Sequence, residues 1–279
     1  MASRTRRPAS PALTGTALVE TLLSGGRALS RLEVDGFAVL RSRGVTRRAN
    51  SVVPLEPSSD PAAPDAAVTR IEGLLDAAGE RPVFRLFTGE GLDHEPVRAA
   101  LAQRGYEQDA PVHVLQRTLS DHRTAPDPRA VIAVGSPPEP WLEASWRLAP
   151  RPEDGARETL RDLMAGTPAL YVALAAPGAS GPDRTLAVGR AALVPHHRRA
   201  LAVLDQIAVD PDRRREGLGR ATVRTLLSLA VVQGADSALL EVEESNTAAR
   251  GLYRAEGFRP AGEYCYLTPV PANTAHAAS

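Results

Sequence analysis

One cysteine, Cys265, occurs in 279 residues, so an internal disulfide framework is excluded, and no His/Cys cluster has the spacing of a zinc site. The residue is expected to be a structural member of a strand. Net charge is absent as well: Lys plus Arg and Asp plus Glu both total 33, with arginine supplying the positive charge. No global field therefore recruits nucleic acid or an anionic membrane, and any anion site must be local. No apolar run approaches the roughly 18 residues a membrane span needs, and the opening MASRTRRPASPALTG lacks the apolar core of a secretory leader. These absences predict a cytoplasmic protein that engages no metal, membrane or nucleic acid.

The length suits two ordinary domains better than one large one. Residues 1–12 read as a disordered arm and 270–279 as a loose tail. Between them, periodicity predicts a helix over 14–28, strands over 32–41 and 47–55 forming a hairpin around Ser42-Arg43-Gly44, and a helix over 65–78. A strand over 81–87, a helix over 94–105 and a strand over 112–119 complete a first half, 13–120. A proline-containing linker, 121–129, leads to a second half, 130–269. There, strands are expected over 131–134, 170–175, 185–194, 201–209, 237–243 and 262–267, with helices over 140–149, 153–165 and 247–256 and a further helix after the arginine-rich turn.

The most informative stretch is LDQIAVDPDRRREGLGRATVRTLLSL, residues 204–229. A β-prone run stops at Asp210-Pro211, crosses Arg213, Arg214 and Arg215, and enters an amphipathic helix through Gly217 and Gly219. A helix start leaves its first amide N–H groups unpaired, with about half a positive charge from the macrodipole, so an anion such as phosphate is its natural ligand. The pattern is neither the P-loop, which needs Lys-Ser/Thr after its second glycine, nor the Rossmann GxGxxG.

Two motifs together identify a family resemblance. Arg214-Arg215-Glu216-Gly217-Leu218-Gly219 fits R/Q-x-x-G-x-G/A, and Asn246 through Phe258 fits N-x-x-A-x-x-L-Y-x-x-x-G-F at every fixed position. Both resemble the GNAT N-acetyltransferase superfamily, over roughly residues 130–268. The resemblance implies an α/β (α+β) mixed sheet in the GNAT acyl-CoA N-acyltransferase fold, with the strands at 204–209 and 237–243 splayed apart. Acetyl-CoA would enter the opening as acyl donor, its pantetheine paired with the backbone of Ile207, Ala208 and Val209. Its pyrophosphate would rest on the amides of Arg215, Glu216, Gly217, Leu218, Gly219 and Arg220, with Arg214 alongside. Asn246 is expected to contact the cofactor, and as an ordinary helix N-cap it could do both.

The same resemblance places the general acid at Tyr253 and a general base at Glu241, with Asp205 on the facing strand as second choice and a water relay as the remaining one. His196 and His197 read as exposed turn residues. Arg47, Arg48 and Asn50 are better read as a solvated strand end than as a substrate surface.

The first half looks like a degenerate repeat of the second: Arg98 to Tyr106 lines up with Arg250 to Phe258, each a helix ending at a glycine followed by an aromatic. Where the second half has its arginine-glycine turn, the first has Glu56-Pro57-Ser58-Ser59-Asp60-Pro61, which would repel a diphosphate. The expectation is a tandem protein with one cofactor site, a monomer or homodimer acetylating an unidentified amine, the alternative being an acyl-CoA sensor or interaction module.

Overall fold

In the computed structural model, the described residues are 12–56, 60, 62–152, 154–176, 184–197 and 199–270. The arm expected over 1–12 and the tail over 270–279 lie outside them except at Ala12 and Val270. The first half comprises α1 (Gly15–Gly25), β1 (Ser30–Val34), β2 (Phe37–Arg41), β3 (Val52–Pro54), α2 (Ala63–Asp76), β4 (Phe84–Thr88), α3 (Glu95–Gln103), β5 (Tyr106–Gln108) and β6 (Val112–Thr118). The second comprises β7 (Ala130–Gly135), α4 (Glu139–Leu148), α5 (Ala156–Ala165), β8 (Ala169–Ala175), β9 (Thr185–His196), β10 (Arg199–Val209), α6 (Leu218–Val232), β11 (Ala235–Glu243), α7 (Thr247–Ala255) and β12 (Arg259–Pro269). From β1 in the first half and β8 in the second, both run through three strands, a helix, a strand, a helix and returning strand, preceded by one helix in the first and by β7 and two helices in the second.

One mixed sheet runs through the molecule in the order β1-β2-β3-β4-β12-β6-β11-β10-β9-β8-β7, with β5 on β12. The closing strands have exchanged places. β6 pairs antiparallel with β11 of the second half, and β12 pairs with β4 of the first. The two halves are therefore stitched by ladders rather than merely docked.

Three apolar clusters fill the layers. Each half has its own cluster under its pair of helices: Ile71, Phe84 and Leu101 under α2 and α3, and Val223, Leu226 and Phe258 under α6 and α7. The opposite face carries a shared cluster, in which Leu18 and Leu22 of α1 join Trp141, Tyr171 and Val203 of the second half. Contact there is close. A Cβ placed on Gly25, the last residue of α1, would lie 2.6 Å from the Cβ of Val203 on β10.

Two expected strands are corrected. Residues 32–41 do not form one strand, because Asp35 and Gly36 take left-handed φ values of 50° and 80° and fold β1 back onto β2. Asp-Gly is the dipeptide such a two-residue turn favours. Residues 47–55 begin with a 3₁₀ turn at Arg47–Ala49, leaving Val52–Pro54 as the strand that pairs with β2. Asn50 explains the turn: its Oδ1 accepts from the amides of Ser42 and Gly44, and its Nδ2 donates to the carbonyls of Val45 and Thr46.

Candidate active site at the parting of two strands

β10 and β11 run parallel and stay paired from Ala200 and Ala235 up to Leu204 and Leu240. There the ladder ends. On its other side β10 pairs with β9 at Asp205↔Arg190 and again at Ala208↔Val188, so Gln206 and Ile207 face the single residue Gly189. This bulge puts Gln206 at φ 50°. Glycine opposite it is dictated by packing, since a Cβ on Gly189 would come within 2.7 Å of Thr222 and 2.9 Å of Leu226 on α6. A bulge re-aims a strand and leaves backbone groups unpaired. The half-buried Ile207, Ala208 and Val209 consequently present a backbone edge with no strand on the β11 side among the described residues.

The arginine-glycine turn lies where β10 leaves the sheet. Arg215 has φ 71° and Gly217 φ 77°, and alternating conformations of this kind turn successive backbone amides toward one concavity. The two glycines serve different ends. Gly217 is open, with nothing within 4 Å of a built Cβ, so its backbone conformation is what favours glycine. At Gly219 a Cβ would meet Leu252 of α7 at 3.3 Å and Val209 at 3.5 Å, so close packing of α6, α7 and β10 favours it. Arg214 and Arg215 are exposed and form no ion pair among the described residues. Arg213 and Glu216 pair at 2.6 Å, and Arg220 lies 3.3 Å from Glu256. Leu218 is buried against the second-half core. Asn246 caps α7, its Oδ1 accepting from the Ala249 amide at 3.1 Å.

Tyr253 lies on α7, buried and edge-on to Phe258 at 5.8 Å between ring centroids. Burial pushes its phenol up to about 12, against an opposing effect of the Arg48 charge, so it stays protonated at neutral pH. Glu241 and Asp205 stand on the two strands that part, and both line one cavity of 70 Å³. Burial by itself would raise the Glu241 carboxyl, but Arg48 and Arg85 overcome it and hold the group below the usual range. Arg48 donates to Oε2 at 2.8 Å and Arg85 to Oε1 at 3.5 Å. Asp205 is shifted the other way. Burial raises it against the pull of Arg190, which donates to Oδ2 at 2.7 Å, and its Oδ1 is buried without a partner.

Arg190 is the hub beneath this site. The residue is 1% exposed, and its guanidinium also donates to the carbonyls of Gly25 at the end of α1, of Met164 on α5 and of Thr167. Four arginines line the cavity, of which sequence reading weighed Arg48 and set it aside and missed Arg85, Arg151 and Arg190. Two of them carried a signal. Arg85 in VFRLF and Arg190 in TLAVGRAALV are charges inside β-prone apolar runs, where a buried ion needs a partner. Arg48 carried no such signal: it is exposed as expected, but on a 3₁₀ turn rather than a strand end, and it is ion-paired. It reaches from the first half's 3₁₀ turn to Glu241, while its neighbour Arg47 stacks 4.4 Å from the ring centroid of Tyr266 and pairs with Asp109. The backbone that delivers Arg48 is strained, for Thr46, a β-branched residue, sits at φ 62°. His196 and His197 do fall at the β9–β10 turn, far along the strands from the bulge.

A family described as "Probable histone acetyltransferase Rv0428c C-terminal" matches residues 25–267. Curated relatives match over a shorter stretch. The chain is 47% identical over 60 residues to the [ribosomal protein bS18]-alanine N-acetyltransferase of Escherichia coli K12, covering 22% of this chain and 40% of that protein. It is 41% identical over 63 residues to N-acetyltransferase family 8 member 3 of Rattus norvegicus, covering 23% and 28%. The match thus spans less than half the length of either relative. Among solved structures, a GCN5-related N-acetyltransferase from Kribbella flavida superposes with a TM-score of 0.63 at 17% identity, covering 93% of this chain and 95% of that one. A tandem GNAT protein from the clavulanic acid biosynthesis pathway gives 0.63 at 12% identity, covering 80% and 76%. At these identities the likeness is one of fold.

Proposed function

The chain belongs to the Rv0428c C-terminal family within the GNAT superfamily, and on that premise we propose that it moves an acetyl group from acetyl-CoA to a primary amine in a ternary complex. The observation that carries the reading is the parting of β10 from β11, with a protonated Tyr253 phenol on α7 and the carboxylates Asp205 and Glu241 on the two strands. The described residues fit acetyl-CoA as substrate. An unpaired backbone edge at Ile207–Val209 could take the pantetheine amides as an added strand. The amides of Arg215 to Arg220, with Arg214 and Arg215 free of ion pairs among the described residues, suit its pyrophosphate, and Asn246 at the start of α7 would be a further contact.

In the proposed reaction the acceptor nitrogen bonds to the acetyl carbon while the carbon–sulfur bond breaks. The nitrogen's proton goes to a carboxylate, directly or through water, and the Tyr253 phenol gives its proton to the leaving sulfur. A backbone N–H at the bulge near Ile207 polarises the acetyl carbonyl. Asp205 suits the base better than Glu241: its pKa is raised and one oxygen is free, whereas both Glu241 oxygens face arginines that lower its basicity. We further infer action in the cytoplasm, as monomer or homodimer, without nucleic acid, membrane or metal. Among the described residues no helix is long and apolar enough to cross a membrane.

Thiol release from acetyl-CoA across a panel of small amines, amino acids and lysine-bearing or free-N-terminus peptides tests the reading. Transfer to at least one acceptor is expected. Tight CoA binding without transfer to any would favour an acyl-CoA sensor, a reading to which the clamped state of Glu241 lends itself.

A further inference from the structure

The 70 Å³ cavity below the bulge is built by both halves, with Leu22, Gly26, Thr46, Arg48 and Arg85 from the first and Arg151, Arg190, Asp205 and Glu241 from the second. Four arginines there face two carboxylates. Asp205 satisfies Arg190, and Glu241 satisfies Arg48. Glu241 is shared with Arg85, which meets it only at 3.5 Å, and no carboxylate remains for Arg151 among the described residues. The Arg85 side chain is 3% exposed, makes its one described hydrogen bond at 3.5 Å, and has a buried Nε without a partner. Arg151 forms no ion pair among the described residues, and its Nε is likewise buried and unpartnered. The rings of Phe87 and Tyr264, each 5.1 Å from the Arg85 guanidinium carbon, soften its burial without supplying an acceptor atom.

A buried guanidinium is costly unless an anion and hydrogen-bond acceptors meet it. Its charge cannot be relieved by titration, since arginine stays protonated throughout the physiological range. The missing acceptor is therefore expected from outside the chain, and the planar fork of arginine matches a carboxylate. The cavity is small, with room for only a few waters or a short group. Its anion site also lies beside the carboxylates that would receive the amine's proton.

Resting on the N-acetyltransferase reading, we propose that the acceptor carries a carboxylate a few bonds from its amine, and that Arg85 and Arg151 hold this carboxylate while the amine faces Asp205. A free amino acid and a peptide with an acidic first residue offer the same chemistry. A lysine side chain from a basic tail, by contrast, brings positive charge to a cavity that already has an excess of it.

The test uses the full chain and matched acceptors: glycine against glycinamide, β-alanine against its amide, and a peptide amide beginning with aspartate against its asparagine counterpart. Thiol release is expected to favour the carboxylate member of at least one pair by about tenfold in kcat/KM. The pair that responds separates free amino acid from acidic peptide. Arg151→Gln, on a half-buried loop residue, should abolish the preference by raising KM for the carboxylate acceptor about tenfold more than KM for its amide. Equal rates within every pair, or faster transfer to the amides, overturn the proposal. Calorimetric titration of N-acetyl-β-alanine against its amide supplies a readout without turnover. Binding of the acid that disappears in Arg151→Gln supports the anion site even if no acceptor releases thiol, in which case only the transferase reading falls. Failure of the acid to bind more tightly than the amide overturns the site itself.

Discussion

Between β10 and β11 a parallel ladder ends at Leu204 and Leu240, whereas β3 and β4, the corresponding pair in the first half, are matched at the single position Val52↔Phe84. After β10 the chain meets Arg213 to Gly219 and enters α6 through glycine in a left-handed conformation. After β3 it meets Glu56 and Asp60, with Pro57 to Ser59 and Pro61 outside the described residues, and enters α2 through Pro64 with Asp65 in its first turn. Proline lacks an amide donor, and the carboxylate competes for the remaining helix-end charge. On the proposed reading, the second parting would suit an anionic cosubstrate and the first would not. What the first half supplies instead is part of the cavity wall, the acceptor side on the proposed reading: Arg48, Arg85 and the end of α1 line it together with Asp205 and Glu241. Duplication here reads as division of labour within one sheet.

The comparison can be broken at several points. Tyr253→Phe should reduce kcat by about 100-fold while acetyl-CoA affinity, measured by titration, stays within about twofold, as expected for loss of a general acid alone. A comparable loss of affinity would instead make the tyrosine a packing residue. Gly25→Ala tests the interlock of the halves. With 2.6 Å between the new Cβ and Val203, overpacking should cost about 1–3 kcal/mol in urea unfolding. A neutral outcome would mean that α1 can lift from β10 without penalty.

Gly217→Asp imitates the acidic turn of the first half at a position with open space around it. Acetyl-CoA KM should rise about tenfold relative to Gly217→Asn, which shares the tolerance for left-handed backbone but adds no charge. Equal KM values in the two variants would remove the pyrophosphate from this turn.

The smallest effect expected is on pH dependence. Glu241 is lowered in the folded state below the ordinary 4.5, so it adds stability that is present above that value and lost as pH falls through the folded one. Asp205, raised by burial above 3.8, acts in the opposite sense: its contribution is present below 3.8 and is lost as pH rises through the folded value. Removing Arg48 as Arg48→Gln should therefore flatten the acid-side loss of stability in urea melts taken across pH 3 to 6. An unchanged profile would show that Arg85 by itself keeps Glu241 ionised.

Local chemistry made much of this readable from the chain. The β-run, the Asp-Pro stop, the arginine-glycine turn and the Asn246–Phe258 helix announce themselves through residues that are near neighbours in sequence, and so does the repeat of helix, glycine and aromatic. The Asp-Gly turn at Asp35 and Gly36 is equally local, its dipeptide signal competing with the apolar alternation on either side. The exchange of β6 and β12 was not legible, because alternation fixes which face of a strand is buried and says nothing about which neighbour it pairs with.

The candidate site divides along the same line. By itself the sequence determined the elements, the family and the anion-ready turn, all properties set by spacing over a few residues. Only the tertiary structure decided that Arg48 reaches Glu241, that Arg190 is held by Asp205 and three carbonyls, that Arg85 shares Glu241 at 3.5 Å, and that Arg151 has no ion pair among the described residues. The physical reason is that the cost of burying a charge depends on what surrounds it in space, and those neighbours come from segments as distant as Gly25, Arg85, Asp205 and Glu241.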